Sequence, residues 1–337
     1  MKAGDVGARY RIPDSRDHKF TRGTVMLSVG SEDYPGAAVL ATAGAVGVGA
    51  GMVRLASTPA VASLVLQRFP TVVVERGDEV APAKNSDAVV VGCGMSERRG
   101  REHALRWIKF EQSQPRAVPV VIDAGALAVV PELIAQRTAE QPVNTETLVV
   151  TPHHGEAARL ISSLAPIAGA PLTVDAGHVS QSPELWARWI VEVTGMIVVL
   201  KGSPTIIGAP SGDGGAVVTR AIANAPGWTA TAGTGDVLAG MIAARLAQVC
   251  ADWHRRHTDN TVSIECQIVD AVADAVWLHG AAARCAAGLD TLASEDLLTR
   301  GMTGGIGHPI TALDLARAIP ETIGTVLAAR ESATMRT

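Results

Sequence analysis

The sequence has few aromatic residues, few cysteines and no excess of positive charge. Aromatics make up 3% of the 337 residues while hydrophobic residues make up 47%, so Ala, Val, Leu and Gly must build the core. Such small side chains favour helices packed closely on a sheet over an aromatic-rich sandwich. The net charge of −4 argues against a nucleic-acid partner or an anionic membrane surface. Any bound phosphate must therefore be held by local dipoles.

The cysteines are widely spaced and form no C-x-x-C pair, which argues against a zinc site or a disulfide framework. They are Cys93, Cys250, Cys266 and Cys285. The polar first twenty residues lack the apolar core of a signal peptide. Residues 35–53 carry no charge, but Gly and Ala dominate them and give weak transfer energy into lipid. We therefore predict a cytoplasmic protein with no membrane partner.

Short Val- and Ile-rich runs that end in Gly, Pro or Asp predict strands. These runs lie at 24–30, 71–75, 87–92, 118–123, 147–152, 196–202, 204–209 and 216–222. They are continuous rather than alternating, as expected for strands covered on both faces. Helices are predicted at 36–50, 103–110, 131–137, 156–164, 183–194, 236–249 and 266–287. This alternation indicates an α/β fold with a mainly parallel central sheet and helices on both faces.

No linker in the sequence is long or polar enough to divide it. We expect one domain over 1–337, with a core of about 24–328 and flexible ends at 1–20 and 331–337. The charged, His-rich segment 252–260 is predicted to be a surface loop.

The segment NAPGWTATAGTGDVLAG (224–240) is typical of an anion-binding loop that precedes a helix. Gly233, Thr234 and Gly235 would turn their N–H groups toward one point, and the helix N-terminus would add partial positive charge. At that helix N-terminus, the carboxylate of Asp236 could take a proton from a substrate hydroxyl. The alternative is that Asp236 only caps the helix, since Asp is a favoured N-cap residue.

The segment TPHHGE (151–156) follows a predicted strand, at the edge where open α/β sheets bind ligands. Glu156 could reach a metal ion or its bound water, and His153 could contact a substrate. The alternative has Thr151 as N-cap, Pro152 in the first turn and Glu156 as an ordinary early acid. That alternative leaves the two adjacent histidines and the glycine unexplained.

The segment KGSPT (201–205) joins two predicted strands and would cover a nucleotide, with Lys201 meeting a phosphate. A plain β-turn is the alternative. Gly92-Cys93-Gly94-Met95 and the run DAGAL (123–127) also follow strands. Cys93 is expected to fill space, because no histidine partner is identifiable from the sequence. His279 is expected to be a satisfied core histidine.

In this order, the segments resemble the ADP/ATP-dependent NAD(P)H-hydrate dehydratase family, a branch of the ribokinase-like superfamily. The resemblance covers about 24–328 and rests on GSEDYPGAAVLATAGAVGVGAGMVRLA, VVVGCGM, VVIDAGAL, TPHHGEAARL, VLKGSPTII and NAPGWTATAGTGDVLAGMIAA. It implies a ribokinase-like fold and the nucleotide-driven dehydration of the S epimer of hydrated NADH or NADPH. Two segments depart from the family's usual pattern: GCGM replaces G-P-G-x-G, and DAGAL carries Gly125 where the family has a second acid.

The resemblance also implies roles for individual residues. ADP or ATP would be contacted by Lys201, Gly202, Ser203, Pro204 and Thr205, with Gly233, Thr234 and Gly235 at the phosphates. The hydrated nicotinamide ring would be lined by Ala37, Gly94, His153 and Asp236. Asp236 would be the catalytic base, and Glu156 would be associated with Mg²⁺.

Two other hypotheses remain at this point. A ribokinase-like kinase acting on a vitamin-precursor alcohol would use the same loop and acid, and a catalytically silent nucleotide-binding regulator would need only the loop. The substrate is in each case a small molecule. The low-charge, Ala-rich helices favour a homo-oligomer. Family members are often fused to an epimerase, which this sequence has no room for, so we expect any epimerase to be a separate protein.

Overall fold

The computed structural model describes residues 1–75, 86–137, 143–170, 172–211, 216–256, 264–292 and 306–334. Within these ranges, nine strands form one sheet. The strands are β1 (Thr24–Ser28), β2 (Met52–Ala56), β3 (Val73–Glu75), β4 (Ala88–Val91), β5 (Val120–Ile122), β6 (Leu148–Val150), β7 (Ile197–Leu200), β8 (Thr205–Ala209) and β9 (Val218–Ile222). Their order across the sheet is β3-β2-β1-β4-β5-β6-β7-β8-β9.

Eleven α-helices surround the sheet in the described part of the chain. They are α1 (Ala3–Arg9), α2 (Pro35–Gly47), α3 (Pro59–Arg68), α4 (Glu97–Gln112), α5 (Val130–Gln136), α6 (His154–Leu164), α7 (Ala176–Gln181), α8 (Pro183–Thr194), α9 (Thr234–Arg256), α10 (Glu265–Ala286) and α11 (Ala312–Thr334). Short 3₁₀ turns occupy Ala124–Val129 and Gly227–Thr229. None of the described helices combines the length and the apolar character that crossing a bilayer requires.

The strands from β3 to β7 pair in parallel, and β8 and β9 add an antiparallel edge. The antiparallel turn arises because only four residues separate β7 from β8, which is too short for a parallel crossover. Buried side chains cover both faces of the sheet in two separate clusters, with Val90 in one and Val89 in the other. The predicted mainly parallel sheet with helices on both faces is thus confirmed.

Strand β2 was absent from the sequence prediction, because Arg54 interrupts the apolar run MVRLA. In the structure the Nε atom of Arg54 donates to Glu75 of the neighbouring β3 at 2.6 Å, so the charge is satisfied across the two strands. The pairing partner lies 21 residues away, and a local pattern cannot reveal it.

One further segment corrects the sequence prediction. Residues 252–256 of the predicted surface loop belong to α9, where Arg256 pairs with Asp252 at 2.5 Å one helical turn away. Residues 257–260 of that loop lie outside the described residues. Near the start of the chain, residues 3–9 form α1, whose Val6 is fully buried; that the ends at 1–20 and 331–337 are flexible stays a prediction. At the other end, α11 continues through 331–334.

Helices α2 and α9 touch each other through backbone atoms at two glycines. A Cβ at Gly240 would lie 2.0 Å from the carbonyl oxygen of Ala41, and one at Gly44 would lie 2.2 Å from that of Val237. We call this contact the glycine seam. It joins the helix that begins beside Ala37 to the helix that begins beside Asp236.

We expect Gly240→Ala to lower the free energy of unfolding by about 3 kcal/mol, because the added methyl group overlaps a rigid backbone. The matched control is Gly324→Ala in α11, where an added Cβ meets no atom within 4 Å. The control should raise the free energy of unfolding by about 0.5–1 kcal/mol, because alanine favours helix. Urea denaturation measures both, and equal midpoints for the two variants would contradict the seam.

Candidate active site

Polar side chains from four adjacent strands meet at the carboxyl edge of the sheet. Cys93, Asp123, Thr151 and Lys201 follow β4, β5, β6 and β7, respectively. The N–H of Lys201 donates to the carbonyl of Pro152 at 2.8 Å, which extends the parallel pairing of β6 and β7 to this point. The site therefore lies where open α/β sheets bind their ligands.

A buried ion pair between Asp123 and Lys201 forms the centre of the site. Lys201 Nζ lies 2.8 Å from Asp123 Oδ1, and the two side chains are 19% and 3% exposed. Thr151 Oγ1 donates to the same oxygen at 2.6 Å, and Cys93 Sγ donates to Asp123 Oδ2 at 3.3 Å. Burial alone would raise the pKa of Asp123, but the charge and hydrogen bond of Lys201 outweigh it and lower that pKa. The sequence prediction gave Asp123 and Thr151 no role in this centre.

Asp236 lies beside this pair, in the first turn of α9. One of its carboxylate oxygens, Cys93 Sγ and an oxygen of Asp123 all lie within 4.8 Å of one another. Burial, and next the negative charge of Asp123, raise the pKa of Asp236 to about 7, against the opposing charge of Lys201. A carboxyl group of that pKa can accept a proton near neutral pH. Because α9 begins at Thr234, the hypothesis that Asp236 is only the N-cap is wrong.

Residues 233–235, which we call the glycine loop, present backbone N–H groups beside Asp236 and Lys201. The first helical bond of α9 runs from the N–H of Val237 to the carbonyl of Gly233 at 3.2 Å. Helix geometry therefore leaves the N–H groups of Gly235 and Asp236 without a partner inside the helix. A Cβ at Gly235 would lie 3.5 Å from Lys201 Nζ, so the ammonium group lies at the mouth of the loop. Donors arranged in this way can bind an anion such as a phosphate.

Ala37 and Gly94, predicted to line the substrate pocket, lie against each other. A Cβ at Gly94 would lie 2.5 Å from Ala37 Cβ and 2.8 Å from the carbonyl oxygen of Tyr34, and Gly94 has a φ of +65°. Only glycine fits there. Gly125, where the family has a second acid, is also fixed by packing, since a Cβ would lie 2.3 Å from the carbonyl oxygen of Met95. That close approach excludes an acidic side chain at this position.

His153 and Glu156 together begin helix α6. His153 is the N-cap: its Nδ1 accepts the N–H groups of Gly155 and Glu156 at 3.0 and 3.3 Å, and Glu156 Oε2 accepts the N–H of His153 at 2.8 Å. Thr151 is therefore not the cap. Glu156 Oε2 also lies 3.8 Å from Lys201 Nζ, which places the carboxylate at the border of the site. Capping and a role at a metal ion are compatible for this residue.

The KGSPT segment forms the tight connection between β7 and β8. Thr205 Oγ1 donates to the carbonyl of Gly202 at 3.0 Å, and Ser203 is exposed beside Pro204. A Cβ at Gly202 would lie 2.5 Å from His154 Nε2, so this glycine permits the close approach of α6. The segment places Lys201 inside the site and leaves 202–205 at its border.

We expect Gly233→Ala to weaken nucleotide binding about tenfold or more. Gly233 has a φ of +91°, and a Cβ there would lie 2.4 Å from Leu40 Cδ1, so alanine must distort the loop. The control is Gly227→Ala in the same segment, which has open space around its Cβ. Calorimetric titration with Mg²⁺-ADP compares the two variants, and equal affinities would contradict the role of Gly233.

A mainly parallel sheet with a glycine loop and an acid at the start of the following helix defines a ribokinase-like α/β protein. A ribokinase-like superfamily protein from Enterococcus faecalis shares this fold, with a TM-score of 0.65 at 19% identity over 96% of this chain and 94% of that one. The family model described as NAD(P)H-hydrate dehydratase matches residues 25–299. The chain belongs to the NAD(P)H-hydrate dehydratase family.

Individual relatives agree with this assignment. The chain is 38% identical over 250 residues to the bifunctional NAD(P)H-hydrate repair enzyme Nnr of Mycobacterium tuberculosis, covering 73% of this chain and 46% of that one. It thus spans about half the length of this relative. It is 31% identical over 276 residues to the ADP-dependent (S)-NAD(P)H-hydrate dehydratase of Neisseria meningitidis, covering 82% and 80%. The ADP/ATP-dependent enzyme of Bacillus subtilis, co-crystallised with ATP and Mg²⁺, superposes with a TM-score of 0.70 at 25% identity, covering 96% and 97%.

Proposed function

We propose that this chain catalyses the ADP- or ATP-dependent dehydration of (S)-hydrated NADH and NADPH back to the reduced cofactors. The position of Asp236 carries the proposal. Its carboxyl group has a pKa of about 7 and lies directly beside the free amides of the glycine loop and within reach of the Lys201 charge. A nucleotide-binding regulator would not need a proton acceptor there. The names of the relatives support hydrated nicotinamide as the substrate.

The residues divide the proposed chemistry between them. Asp236 takes the proton of the ring hydroxyl, and that oxygen attacks the terminal phosphorus of the nucleotide. The bond from this phosphorus to the bridging oxygen breaks, so that ATP leaves as ADP, or ADP leaves as AMP. The amides of Gly235 and Asp236, with Lys201, hold the transferred phosphoryl group in line. The bond between the ring carbon and the phosphate oxygen then breaks, and inorganic phosphate leaves with the bonding electrons. The neighbouring carbon loses a proton to water as the double bond forms, and Asp236 returns its own proton to solvent. Ala37, Gly94 and His153 would hold the ring.

A carboxylate at the border of the site fits a magnesium ion that arrives with the nucleotide. Glu156 offers the oxygen ligands that Mg²⁺ prefers, whereas Asp123 is paired with Lys201 and Asp236 is the proposed base. Mg²⁺ bound with the nucleotide would neutralise phosphate charge during transfer. On this proposal Glu156 contributes to the ion while it also caps α6.

A direct assay tests the proposal. Purified protein is incubated with hydrated NADH or NADPH, Mg²⁺ and either ADP or ATP, and the absorbance of the reduced nicotinamide is followed. We expect recovery that requires a nucleotide, and the better nucleotide identifies the donor. Nucleotide binding without recovery would refute the dehydratase and favour the alternative, a kinase for a vitamin-precursor alcohol.

Further parts of the proposal concern the setting of the enzyme. We infer one domain over 1–337, a cytoplasmic location, a homo-oligomer and a separate epimerase that supplies the S epimer. Limited proteolysis tests the first, and light scattering measures the oligomeric state.

A further inference from the structure

His279 on α10 contacts the backbone of the glycine loop. Its Nε2 atom lies 3.0 Å from the carbonyl oxygen of Thr234, and the residue is 9% exposed. The expected satisfied core histidine is thus found, but its partner belongs to the site. The two residues are 45 positions apart, so no local pattern indicates the contact.

The proton of this imidazole has a defined position. A carbonyl oxygen only accepts hydrogen bonds, so Nε2 must carry the hydrogen that it donates to Thr234. Burial lowers the pKa of His279 to about 4, and the positive charge of Lys201 acts in the same direction. The ring is therefore neutral at the pH at which the enzyme works.

The contact acts together with the first turn of α9 to fix where an amide of the candidate anion site points. The carbonyl of Thr234 and the N–H of Gly235 belong to one planar trans peptide, in which they point in opposite directions. Because His279 holds the carbonyl toward α10, the N–H of Gly235 points away from α10. The ammonium group of Lys201 lies near the same residue, since a Cβ at Gly235 would lie 3.5 Å from Lys201 Nζ.

Helix α10 also holds the other end of the loop segment. Asn224 Nδ2 donates to the carbonyl of Trp277 at 2.8 Å, and Asn224 is buried. A Cβ at Gly280 would lie 2.3 Å from Asn224 Oδ1, so glycine is required for this approach. Between these two anchors, Thr234 Oγ1 donates to the carbonyl of Thr229 at 3.0 Å, which closes the loop on itself.

We propose that His279 is a positioning residue of this enzyme: it holds the peptide between Thr234 and Gly235 so that the Gly235 amide faces the nucleotide phosphate. The proposal rests on the proposed function for its nucleotide. It assigns His279 no contact with the substrate and no proton transfer.

Two substitutions of His279 separate positioning from packing. His279→Leu fills the space without a donor, whereas His279→Gln keeps a side-chain N–H at similar reach. The matched control is Leu278→Ala, which removes a buried side chain from the adjacent position of α10. For each variant we would measure the Kd of Mg²⁺-ADP by calorimetry, kcat and KM for the nucleotide, and the melting temperature.

We expect His279→Leu to raise Kd and the nucleotide KM roughly tenfold, as the loss of one oriented hydrogen bond implies. His279→Gln should return most of that loss, and Leu278→Ala should lower the melting temperature with an unchanged Kd. The inference would be overturned by an unchanged Kd in His279→Leu, or by a Kd in His279→Gln as weak as in His279→Leu.

The calorimetric Kd keeps this test separate from the proposed function. A wild-type protein that binds Mg²⁺-ADP but dehydrates nothing would refute the dehydratase alone, because the Kd values of the variants still decide the role of His279. Wild-type protein that binds neither Mg²⁺-ADP nor Mg²⁺-ATP would overturn both.

Discussion

Asp236→Asn is expected to reduce kcat about a thousandfold while nucleotide affinity changes less than threefold. Removing a general base typically costs 10² to 10⁴ in rate, and asparagine keeps the shape of aspartate without accepting the proton. The amides of the loop stay in place because the substitution changes neither the backbone of α9 nor the contact between His279 and Thr234. A variant with more than a tenth of the wild-type kcat would exclude Asp236 as the base.

The pH dependence gives an independent check on the same residue. Since the base must be deprotonated, and its pKa is about 7, wild-type kcat/KM should rise tenfold per pH unit below pH 7 and level off above it. The Asp236→Asn variant should lack this rise of kcat/KM with pH. A wild-type profile that is flat between pH 5 and 8 would contradict the raised pKa.

The free energy of unfolding should fall over the pH range in which kcat/KM rises. The pKa of Asp236 is raised from 3.8 in the unfolded chain to about 7 in the folded protein, so the folded state binds the proton more tightly. The carboxyl group therefore destabilises the fold progressively as pH rises from about 4 to 7, and the cost is constant above that range. Asp236→Asn removes this cost and should unfold at a higher urea concentration than wild type at pH 8, with little difference at pH 4.

Lys201→Met is expected to lower the free energy of unfolding by about 3–5 kcal/mol, because it leaves the buried Asp123 carboxylate without its partner. The double variant Asp123→Asn/Lys201→Met should recover much of this loss, since it leaves no unpaired charge. Urea denaturation of the two single variants and the double variant measures the coupling. An additive cycle would show that the two charges do not interact in solution.

A surface ion pair supplies the control for this cycle. Arg16 and Asp14 also form an ion pair, at 3.1 Å, but their side chains are 89% and 47% exposed. Arg16→Met should leave the unfolding midpoint unchanged, because water already screens this pair. Comparing Lys201→Met with Arg16→Met separates the effect of burial from the effect of removing a positive charge.

The Asp123→Asn variant alone should shift the activity profile. The negative charge of Asp123 contributes to the raised pKa of Asp236, second only to burial. Its removal should move the acid limb of kcat/KM to lower pH. An acid limb that stays near pH 7 in this variant would assign the raised pKa to burial alone.

The sequence predicted the parts of this protein that depend on neighbours along the chain. Continuous apolar runs such as 87–92 and 118–123 identified buried parallel strands, because a strand covered on both faces needs no polar alternation. The sequence also predicted that a helix begins near Gly235, and the structure places the start of α9 at Thr234; the anion-binding role of its N-terminus stays a prediction. Strand β2 was not predicted because the partner of Arg54, Glu75, lies on β3, a strand that follows later in the chain.

The parts that sequence could not predict depend on distant pairs. Asp123 and Lys201 are 78 residues apart and meet only because β5 and β7 lie on either side of β6. The contact between His279 and Thr234 has the same origin. The reason why Gly125 stands in place of the family's second acid also required the structure, because the carbonyl oxygen of Met95 leaves no room for a side chain there.

On the proposed function, the glycine seam between α2 and α9 limits which substrates the chain can accept. Gly240 lies one helical turn after Asp236, and the opposite helix begins beside Ala37, so two main chains in contact would fix the gap between the proposed ring site and the proposed base. No rotamer can widen it, and residues larger than glycine are excluded at Gly44 and Gly240. Laboratory evolution toward a bulkier ring should accordingly collect its useful substitutions outside the seam, for example at the 66% exposed Tyr34.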